Sequence, residues 1–270
     1  MAANSTSASY EAFHQALKSA KHIATLCGAG LSAESGIPTF RGEGGWWRTF
    51  EATELATPTA FKKNPSRVWE FYHYRRELVL KKQPNKAHKA LVDFEDKILS
   101  QTPQNQTFTV ITQNVDGLSS NLKNFIAMHG SLFRTRCTKC GYIEENRNSP
   151  ICEGLKGTEN SNFDINLPIE KLPSCTKCNG LIRPDVVWFN ETLDPDILNK
   201  IHEELNRCDL FLIIGTSGLV YPAASYANYV KSRGGKLAIF NIEDTGKADF
   251  KFIGPCGETL PRALDVCEET

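Results

Sequence analysis

The sequence has neither an excess of charge nor a long apolar run. Lysine plus arginine and aspartate plus glutamate each number 31, so the formal net charge is zero. This balance argues against bulk electrostatic attraction to nucleic acid or to an anionic membrane, although it leaves local patches open. No apolar run reaches the roughly 18 residues that a transmembrane helix needs. We therefore expect no membrane span and no direct nucleic-acid binding.

Residues 1–20 lack the features of a cleaved leader. They contain no arginine, they include Glu11, and they have no apolar core of the kind found in signal peptides. We expect a serine-rich tail followed by a first helix at Tyr10–Ala20. No secretory or mitochondrial leader is visible in this stretch.

The nine cysteines do not indicate a disulfide framework, because a chain of 270 residues can bury a full core without one. Four of them form two C-x-x-C pairs, Cys137 with Cys140 and Cys175 with Cys178, with 34 residues between the pairs. This spacing is typical of a zinc ribbon, whose four thiolates leave no open position for catalysis. A redox dithiol is the rival interpretation, but neither pair begins a helix after a strand. The cysteine usage indicates a reducing, intracellular compartment.

Short apolar runs alternate with helical patterns, which predicts an α/β fold with a Rossmann-like, doubly wound parallel sheet. Helical segments broken by prolines fill residues 51–100. Polar residues at the carboxyl ends of parallel strands are candidate ligand contacts, because such sheets bind ligands there. The strands are expected at His22–Cys27, Thr107–Thr112, Leu210–Ile214 and Lys236–Phe240.

The residues that follow these strands are small or polar. The first strand leads into GAGLSA at 28–33, the G-x-G-x-x-G/A pattern of dinucleotide-binding folds, in which glycine lets backbone amides approach a pyrophosphate. Gly36 and Pro38 then interrupt the helix, so we expect a mobile loop that carries Phe40 and Arg41 over a bound cofactor. The other strands end on Gln113-Asn114-Val115-Asp116-Gly117, Gly215-Thr216-Ser217 and Asn241-Ile242-Glu243.

Each of these polar features also has an ordinary structural explanation. The segment 114–117 fits a turn with no ligand. His129, which follows the apolar run Phe125–Met128, fits a strand-end histidine bonded to the backbone. Any single motif therefore leaves the function open, and only their combination discriminates.

Taken together, the motifs resemble the sirtuins, the NAD-dependent lysine deacylases. The resemblance runs from about His22 to Gly257, and residues 119–121 after Leu118 depart from the family pattern. It implies a Rossmann-like NAD-binding domain at 21–48, 101–133 and 185–270, a helical module with an acyl pocket at 49–100, and an inserted zinc module at 134–184. The motifs are GAGLSAESGIPTFR (28–41), TQNVDG (112–117), HG (129–130), the two CxxC pairs, GTS (215–217) and FNIE (240–243).

The resemblance implies that NAD is consumed as a co-substrate, with His129 as general base and Asn114 as a second catalytic residue. Arg41 would close on the phosphates from the loop, and Phe40 would shield the reacting ribose carbon. The other implied cofactor contacts are Gly28, Ala29, Gly30 and Ser32 near the phosphates, Ile37, Gln113, Asn114 and Asp116 around the nicotinamide, and Gly215, Thr216, Ser217, Asn241, Glu243 and Cys256 in the adenosine half.

One subgroup of the family fits best, the class III sirtuins, which remove succinyl, malonyl and glutaryl groups. In that subgroup a tyrosine and an arginine three residues later bind the acyl carboxylate, and Tyr72 and Arg75 match them. The two share a helix face and can bind a carboxylate, although a packing tyrosine beside a solvated arginine is the commoner arrangement. Ala56 matches a small residue that widens the acyl pocket. Val187, Trp188 and Phe189 resemble the segment that pairs with the substrate backbone.

The predicted function is therefore an NAD-dependent protein-lysine deacylase for acidic acyl groups, acting on acyl-lysine proteins or peptides as a monomer. One alternative is a sirtuin that acts mainly as an acetyl-lysine deacetylase or a mono-ADP-ribosyltransferase. A second is a non-catalytic zinc-ribbon interaction module. The subgroup is often mitochondrial, whereas the sequence itself leaves cytoplasm and nucleus open.

Overall fold

The computed structural model describes residues 7–39, 45–103 and 105–266. The strands of these residues are β1 (His22–Cys27), β2 (Trp46–Trp47), β3 (Phe50–Glu51), β4 (Thr107–Thr112), β5 (Phe125–Ala127), β6 (Gly130–Cys137), β7 (Ile143–Glu145), β8 (Ile182–Val186), β9 (Leu210–Ile214), β10 (Lys236–Asn241) and β11 (Phe250–Ile253). The α-helices are α1 (Ser7–Ser19), α2 (Ala29–Ala33), α3 (Ala52–Leu55), α4 (Pro58–Lys63), α5 (Pro65–Leu80), α6 (Lys86–Leu99), α7 (Pro195–Arg207), α8 (Ala223–Ser232) and α9 (Cys256–Leu264).

A six-stranded parallel sheet forms the centre of the larger domain, with the strand order β11-β10-β9-β1-β4-β5. The chain leaves β1 towards β4 on one side and later returns to β9 on the other side. The winding direction therefore reverses between β1 and β9, which is where open α/β sheets bind ligands. The predicted doubly wound α/β fold is confirmed.

Helices cover both faces of this sheet. On one face, α1, α6 and α9 bury their apolar sides in a cluster that includes Phe13, Leu91, Phe240 and Leu260. On the other face, α7 and α8 contribute Ile201, Leu205, Tyr226 and Val230 to a second cluster. Each face thus has its own core, and the strands between them are buried along most of their length.

The helix starts follow from local capping chemistry. The side chain of Thr57 accepts the Ala60 amide ahead of Pro58, and the side chain of Asn64 accepts the Arg67 amide ahead of Pro65. Proline suits the first helical position, because its missing N–H would have no helical partner there. The prolines that break residues 51–100 into segments are therefore the first residues of α4 and α5.

The zinc-ribbon segment and helices α3–α5 share a third core. Strands β6, β7 and β8 form an antiparallel sheet in the order β7-β6-β8. Helix α5 packs against this sheet, and the fully buried Trp69 donates its indole N–H to the Ile182 carbonyl at 2.8 Å. Arg76, on the same helix, donates to the carbonyls of Leu132, Asn146 and Asn148 at 2.6, 2.8 and 3.1 Å. Through these hydrogen bonds α5 joins the helical segment α3–α5 to the zinc-ribbon segment.

The packing of one helix differs from the sequence prediction. Helix α6, which was grouped with residues 49–100, packs with α9 and the parallel sheet and contributes Ala90, Leu91 and Phe94 to that core. After β11 the chain passes through Gly254 and begins α9 at Cys256, with Pro255 at the N-cap. In the described residues, no helix is long and apolar enough to cross a membrane.

Candidate active site

A cavity of about 740 Å³ opens at the carboxyl ends of β1, β4, β9 and β10. Segments from both halves of the parallel sheet line it, together with α5 and the chain after β8. Its size falls in the range of small-molecule and cofactor sites, about 300–1,000 Å³. The predicted site residues in its lining are Gly28, Ala29, Gly30, Ser32, Ile37, Ala56, Tyr72, Arg75, Gln113, Asn114, Asp116, His129, Val187, Trp188, Phe189, Gly215, Thr216, Ser217, Asn241 and Glu243.

Two glycine turns approach each other closely at the floor of the cavity. The Gly30 amide donates to the Gly215 carbonyl at 2.7 Å. A Cβ on Gly215 would lie 2.3 Å from the Leu31 nitrogen, and its φ of +58° is in the left-handed region that favours glycine. The G-x-G turn and the GTS segment therefore form one continuous backbone surface, of the kind that accommodates a pyrophosphate.

The side-chain amide of Asn114 is fixed by two hydrogen bonds. Its Nδ2 donates to the Gly28 carbonyl at 2.9 Å and to Ser32 Oγ at 3.1 Å. Because both contacts use the amide nitrogen, they fix the orientation of the side chain and do not involve its Oδ1. Asp116 is buried, and its carboxylate accepts the Leu118 amide at 2.8 Å. The turn after β4 is thus ordered by its own polar groups at the cavity wall.

His129 has the tautomer that a general base requires. Its Nδ1 lies 3.0 Å from the Gln113 carbonyl, which can only accept, so Nδ1 carries the proton and Nε2 is the basic nitrogen. Burial lowers the pKa of His129, and the hydrogen bond to Gln113 opposes this effect only in part. The imidazole is therefore neutral near pH 7, with the lone pair of Nε2 available.

Of the residues predicted for the adenosine half of the site, most line the cavity, but Cys256 does not. Asn241 Nδ2 lies 3.4 Å from the Thr216 carbonyl, and Ser217 and Glu243 are exposed at the rim of the cavity. Cys256 is buried at the start of α9 behind β10, and it does not line the cavity. Burial raises the pKa of its thiol to about 12. Phe40 and Arg41 lie outside the described residues.

The acyl-pocket residues meet at the other end of the cavity. Ala56, Tyr72 and Arg75 are buried, with 4%, 2% and 7% exposure, and all three line the cavity. The hydroxyl of Tyr72 accepts the indole N–H of Trp188 at 2.8 Å. Burial is the main reason that the pKa of Tyr72 is raised, so the phenol stays protonated. A protonated phenol beside a guanidinium is suited to bind a carboxylate.

The segment predicted to pair with a substrate backbone lies beyond the end of β8. The amides of Val187 and Phe189 donate to the carbonyls of His129 and Ala56, both at 2.9 Å, and the Trp188 amide donates to Glu191 at 2.9 Å. These N–H groups are therefore used within the chain. A substrate strand here would have to depend on backbone carbonyls, so the predicted pairing stays a prediction.

The four cysteines of the two CxxC pairs converge away from the cavity. Their Sγ atoms all lie within 4.8 Å of one another, and the Cys137–Cys178 and Cys140–Cys175 separations are 3.4 and 3.7 Å. A tetrahedral zinc ion with Zn–S bonds of about 2.3 Å places its sulfurs about 3.8 Å apart. The Lys139 and Lys177 amides point at Cys137 and Cys175 Sγ at 3.3 and 3.4 Å. The cluster fits one structural zinc ion.

Sequence reasoning missed part of the cavity wall. Leu132 lies in β6 and reaches the cavity only through the fold, and Glu191 lies just after the segment Val187–Phe189. His88, on α6, lies 3.4 Å from Ser32 Oγ beneath the cavity. No local motif marks these positions, because each reaches the site from an element that is distant in sequence.

Comparisons with known proteins show which family the chain matches. The family model described as the Sir2 family matches residues 28–222. The chain is 52% identical over 262 residues to a Xenopus laevis protein named NAD-dependent protein deacylase sirtuin-5A, mitochondrial, covering 93% of this chain and 84% of that protein. It is also 52% identical over 269 residues to an NAD-dependent protein deacylase of Daphnia pulex, covering 96% and 97% of the two chains.

A solved structure supports the same assignment. The crystal structure of a Sir2 homologue in complex with NAD has a TM-score of 0.79 at 38% identity, covering 94% of this chain and 92% of that one. The chain belongs to the Sir2 family, as the order of its motifs indicated.

Proposed function

We propose that the protein is an NAD-dependent protein-lysine deacylase that prefers acidic acyl groups. The observation that carries the proposal is that one cavity holds both the glycine turns with Asn114 and His129 and, at its other end, Tyr72 and Arg75. The named relatives are NAD-dependent protein deacylases, which supports the same activity. One end of the cavity is thus suited to bind a dinucleotide, and the other end is suited to bind a carboxylate.

The residues of the chain have distinct tasks in this reaction. NAD supplies the ribose carbon that receives the acyl group when nicotinamide leaves. Gly28, Gly30 and Gly215 bring the backbone close to the phosphates. Asn114, held by Gly28 and Ser32, orients the reacting groups. His129 Nε2 accepts a proton from a ribose hydroxyl, since its Nδ1 is committed to Gln113.

The products follow from this assignment of tasks. The acyl oxygen of the modified lysine forms a bond to the ribose carbon, and the bond to nicotinamide breaks. Once His129 has taken its proton, the oxygen of the neighbouring ribose hydroxyl attacks the acyl carbon. The bond from that carbon to the lysine nitrogen then breaks, the amine leaves with a proton, and one water adds to the acyl carbon. The released products are nicotinamide, free lysine and O-acyl-ADP-ribose.

The acidic-acyl preference is tested by Arg75→Met. Loss of one charge-assisted hydrogen bond is worth about 1.5–3 kcal/mol, so kcat/KM on a succinyl-lysine peptide should fall about tenfold to a hundredfold, and by much less on an acetyl-lysine peptide. Arg67→Met is the matched control, because Arg67 is on the same helix but pairs with Asp164. Equal losses on both peptides with Arg75→Met would contradict the preference, as would an acetyl preference of the wild type.

We also propose that the protein acts in mitochondria as a monomer on acyl-lysine proteins. The Xenopus laevis relative is named mitochondrial, which supports this location. Cell fractionation and sedimentation of the purified chain test these two points separately.

A further inference from the structure

We propose that Trp188 is a positioning residue for Tyr72, a role that rests on the proposed acyl preference. The indole N–H of Trp188 fixes the phenol so that the hydroxyl proton points at the carboxylate of the substrate. The observation behind this proposal is the 2.8 Å hydrogen bond between Trp188 Nε1 and Tyr72 Oη, two atoms whose residues are 116 positions apart.

The direction of this hydrogen bond decides where the tyrosine proton lies. An indole N–H is a donor only, so the phenol oxygen must be the acceptor. A phenol oxygen has two favourable in-plane positions, one for its own proton and one for an incoming donor. Because the indole occupies one of them, the O–H has to use the other. Tyr72 also lines the cavity, so its proton is available for a ligand there.

The indole is itself held firmly from several sides. Trp188 is 3% exposed, and its ring lies 5.2 Å from that of Phe61. The Arg183 guanidinium carbon is 3.4 Å from the centre of the indole ring. Glu191 binds Arg183 through both oxygens, at 2.5 and 2.8 Å, and also accepts the Trp188 amide at 2.9 Å.

This arrangement makes the N–H a better and a fixed donor. A cation over an aromatic face withdraws electron density from the ring, which strengthens the donor at its edge. The bidentate Arg183–Glu191 pair keeps the guanidinium in place over the indole ring. A freely rotating tyrosine hydroxyl would lose orientational freedom on binding a carboxylate, whereas this one is oriented beforehand.

The test compares Trp188→Phe with wild type on a succinyl-lysine and an acetyl-lysine peptide. Phenylalanine keeps an aromatic ring under Arg183 but removes the N–H. We expect the succinyl-to-acetyl ratio of kcat/KM to fall about fivefold to tenfold. Most of the change on the succinyl peptide should be a rise in KM, since the carboxylate contact is equally present in ground and transition states.

Two further variants separate positioning from general damage. Trp69→Phe removes an indole N–H from the same core, bonded to Ile182 at 2.8 Å, and should leave the ratio unchanged. In a Tyr72→Phe background, Trp188→Phe should not lower the ratio any further, because the group that it positions is gone. A second fall of the same size in that background would overturn the proposal.

A measurement on a folded protein covers the case in which Trp188→Phe does not fold. Proton–nitrogen NMR of the indole groups should show the Trp188 signal shifting and exchanging faster with solvent in Tyr72→Phe, with the Trp69 signal unchanged. No response at Trp188 would overturn the positioning role. A wild-type ratio in Tyr72→Phe would instead overturn the proposed acyl preference, so the two failures are distinguishable.

Discussion

At the residue scale, the site depends on groups whose protonation state is set by burial. His129 donates from Nδ1 to a carbonyl and has its pKa lowered by burial, while burial raises the pKa of the Tyr72 phenol. One is therefore a neutral acceptor and the other a neutral donor at the same pH. These opposite shifts are consistent with the proposed roles, His129 as the base and Tyr72 as a donor to the carboxylate of the substrate.

The pH dependence of turnover follows from His129. Only the neutral imidazole is a base, so kcat/KM should fall on the acid side as His129 gains a proton. Because burial lowers the pKa of His129, the acid limb should have its midpoint at a more acidic pH than a solvent-exposed histidine would give. The measurement is a pH–rate profile with a succinyl-lysine peptide. An acid limb at the pH of a solvent-exposed histidine, or above it, would contradict the assignment.

At the element scale, the two glycine turns control how closely α2 approaches the end of β9. Gly215 has a φ of +58°, and an added Cβ would lie 2.3 Å from the Leu31 nitrogen. Gly218 has a similar φ of +67° with nothing within 4 Å of its Cβ position. Substitutions at Gly215 and Gly218 can therefore be compared. Both should show the conformational cost of a side chain at positive φ, and only the one at Gly215 should add the cost of a backbone collision.

Gly215→Ala should therefore be much more damaging than Gly218→Ala. The conformational cost of alanine at a positive φ is about 1 kcal/mol in both variants, and the backbone collision adds about 1–3 kcal/mol at position 215 alone. Urea unfolding gives the two free energies of unfolding, and calorimetry gives the NAD affinity. Equal effects of the two variants on both quantities would show that the close approach is unimportant.

The sequence predicted the bounds of strands and helices better than it predicted which elements pack against each other. The bounds of β1, β4 and β9 agree with the apolar runs, because a strand buried on both faces is apolar along its whole length. Strand β11 was missed, since Phe250–Ile253 is short and includes a lysine. Periodicity gave α6 an apolar face but could not specify which core it joins. The Trp188–Tyr72 bond depends on tertiary packing and has no local signal.

At the scale of the whole molecule, the zinc cluster and the acyl pocket share a core. Cys137 and Cys175 are buried in the same cluster as Tyr72 and Trp188, and β8 leads from Ile182 towards the cavity wall at Val186. The metal itself would take no part in the reaction, because four thiolates fill its coordination sphere. Loss of the metal should nevertheless disturb the acyl pocket, because β8 and α5 connect the zinc cluster to it.

Zinc removal should lower both stability and activity. We expect one zinc per chain in the purified protein, and Cys178→Ser should lose it, with a fall in Tm of roughly 10 °C and loss of turnover. Cys152→Ser is the matched control, because that thiol lies in the same module outside the cluster. Metal analysis and thermal unfolding make the comparison. Full activity of metal-free Cys178→Ser would contradict the coupling.

Helix α5 has a consequence for how acyl selectivity can change. It carries Tyr72 and Arg75 on the side that faces the cavity, while Trp69 and Arg76 of the same helix hold the smaller modules together. Replacing Tyr72 with an apolar residue would also leave a buried indole N–H unpaired, at a cost of about 1–3 kcal/mol. An apolar residue at position 72 is therefore expected to cost less stability when position 188 also loses its indole N–H, so these two positions are best substituted together.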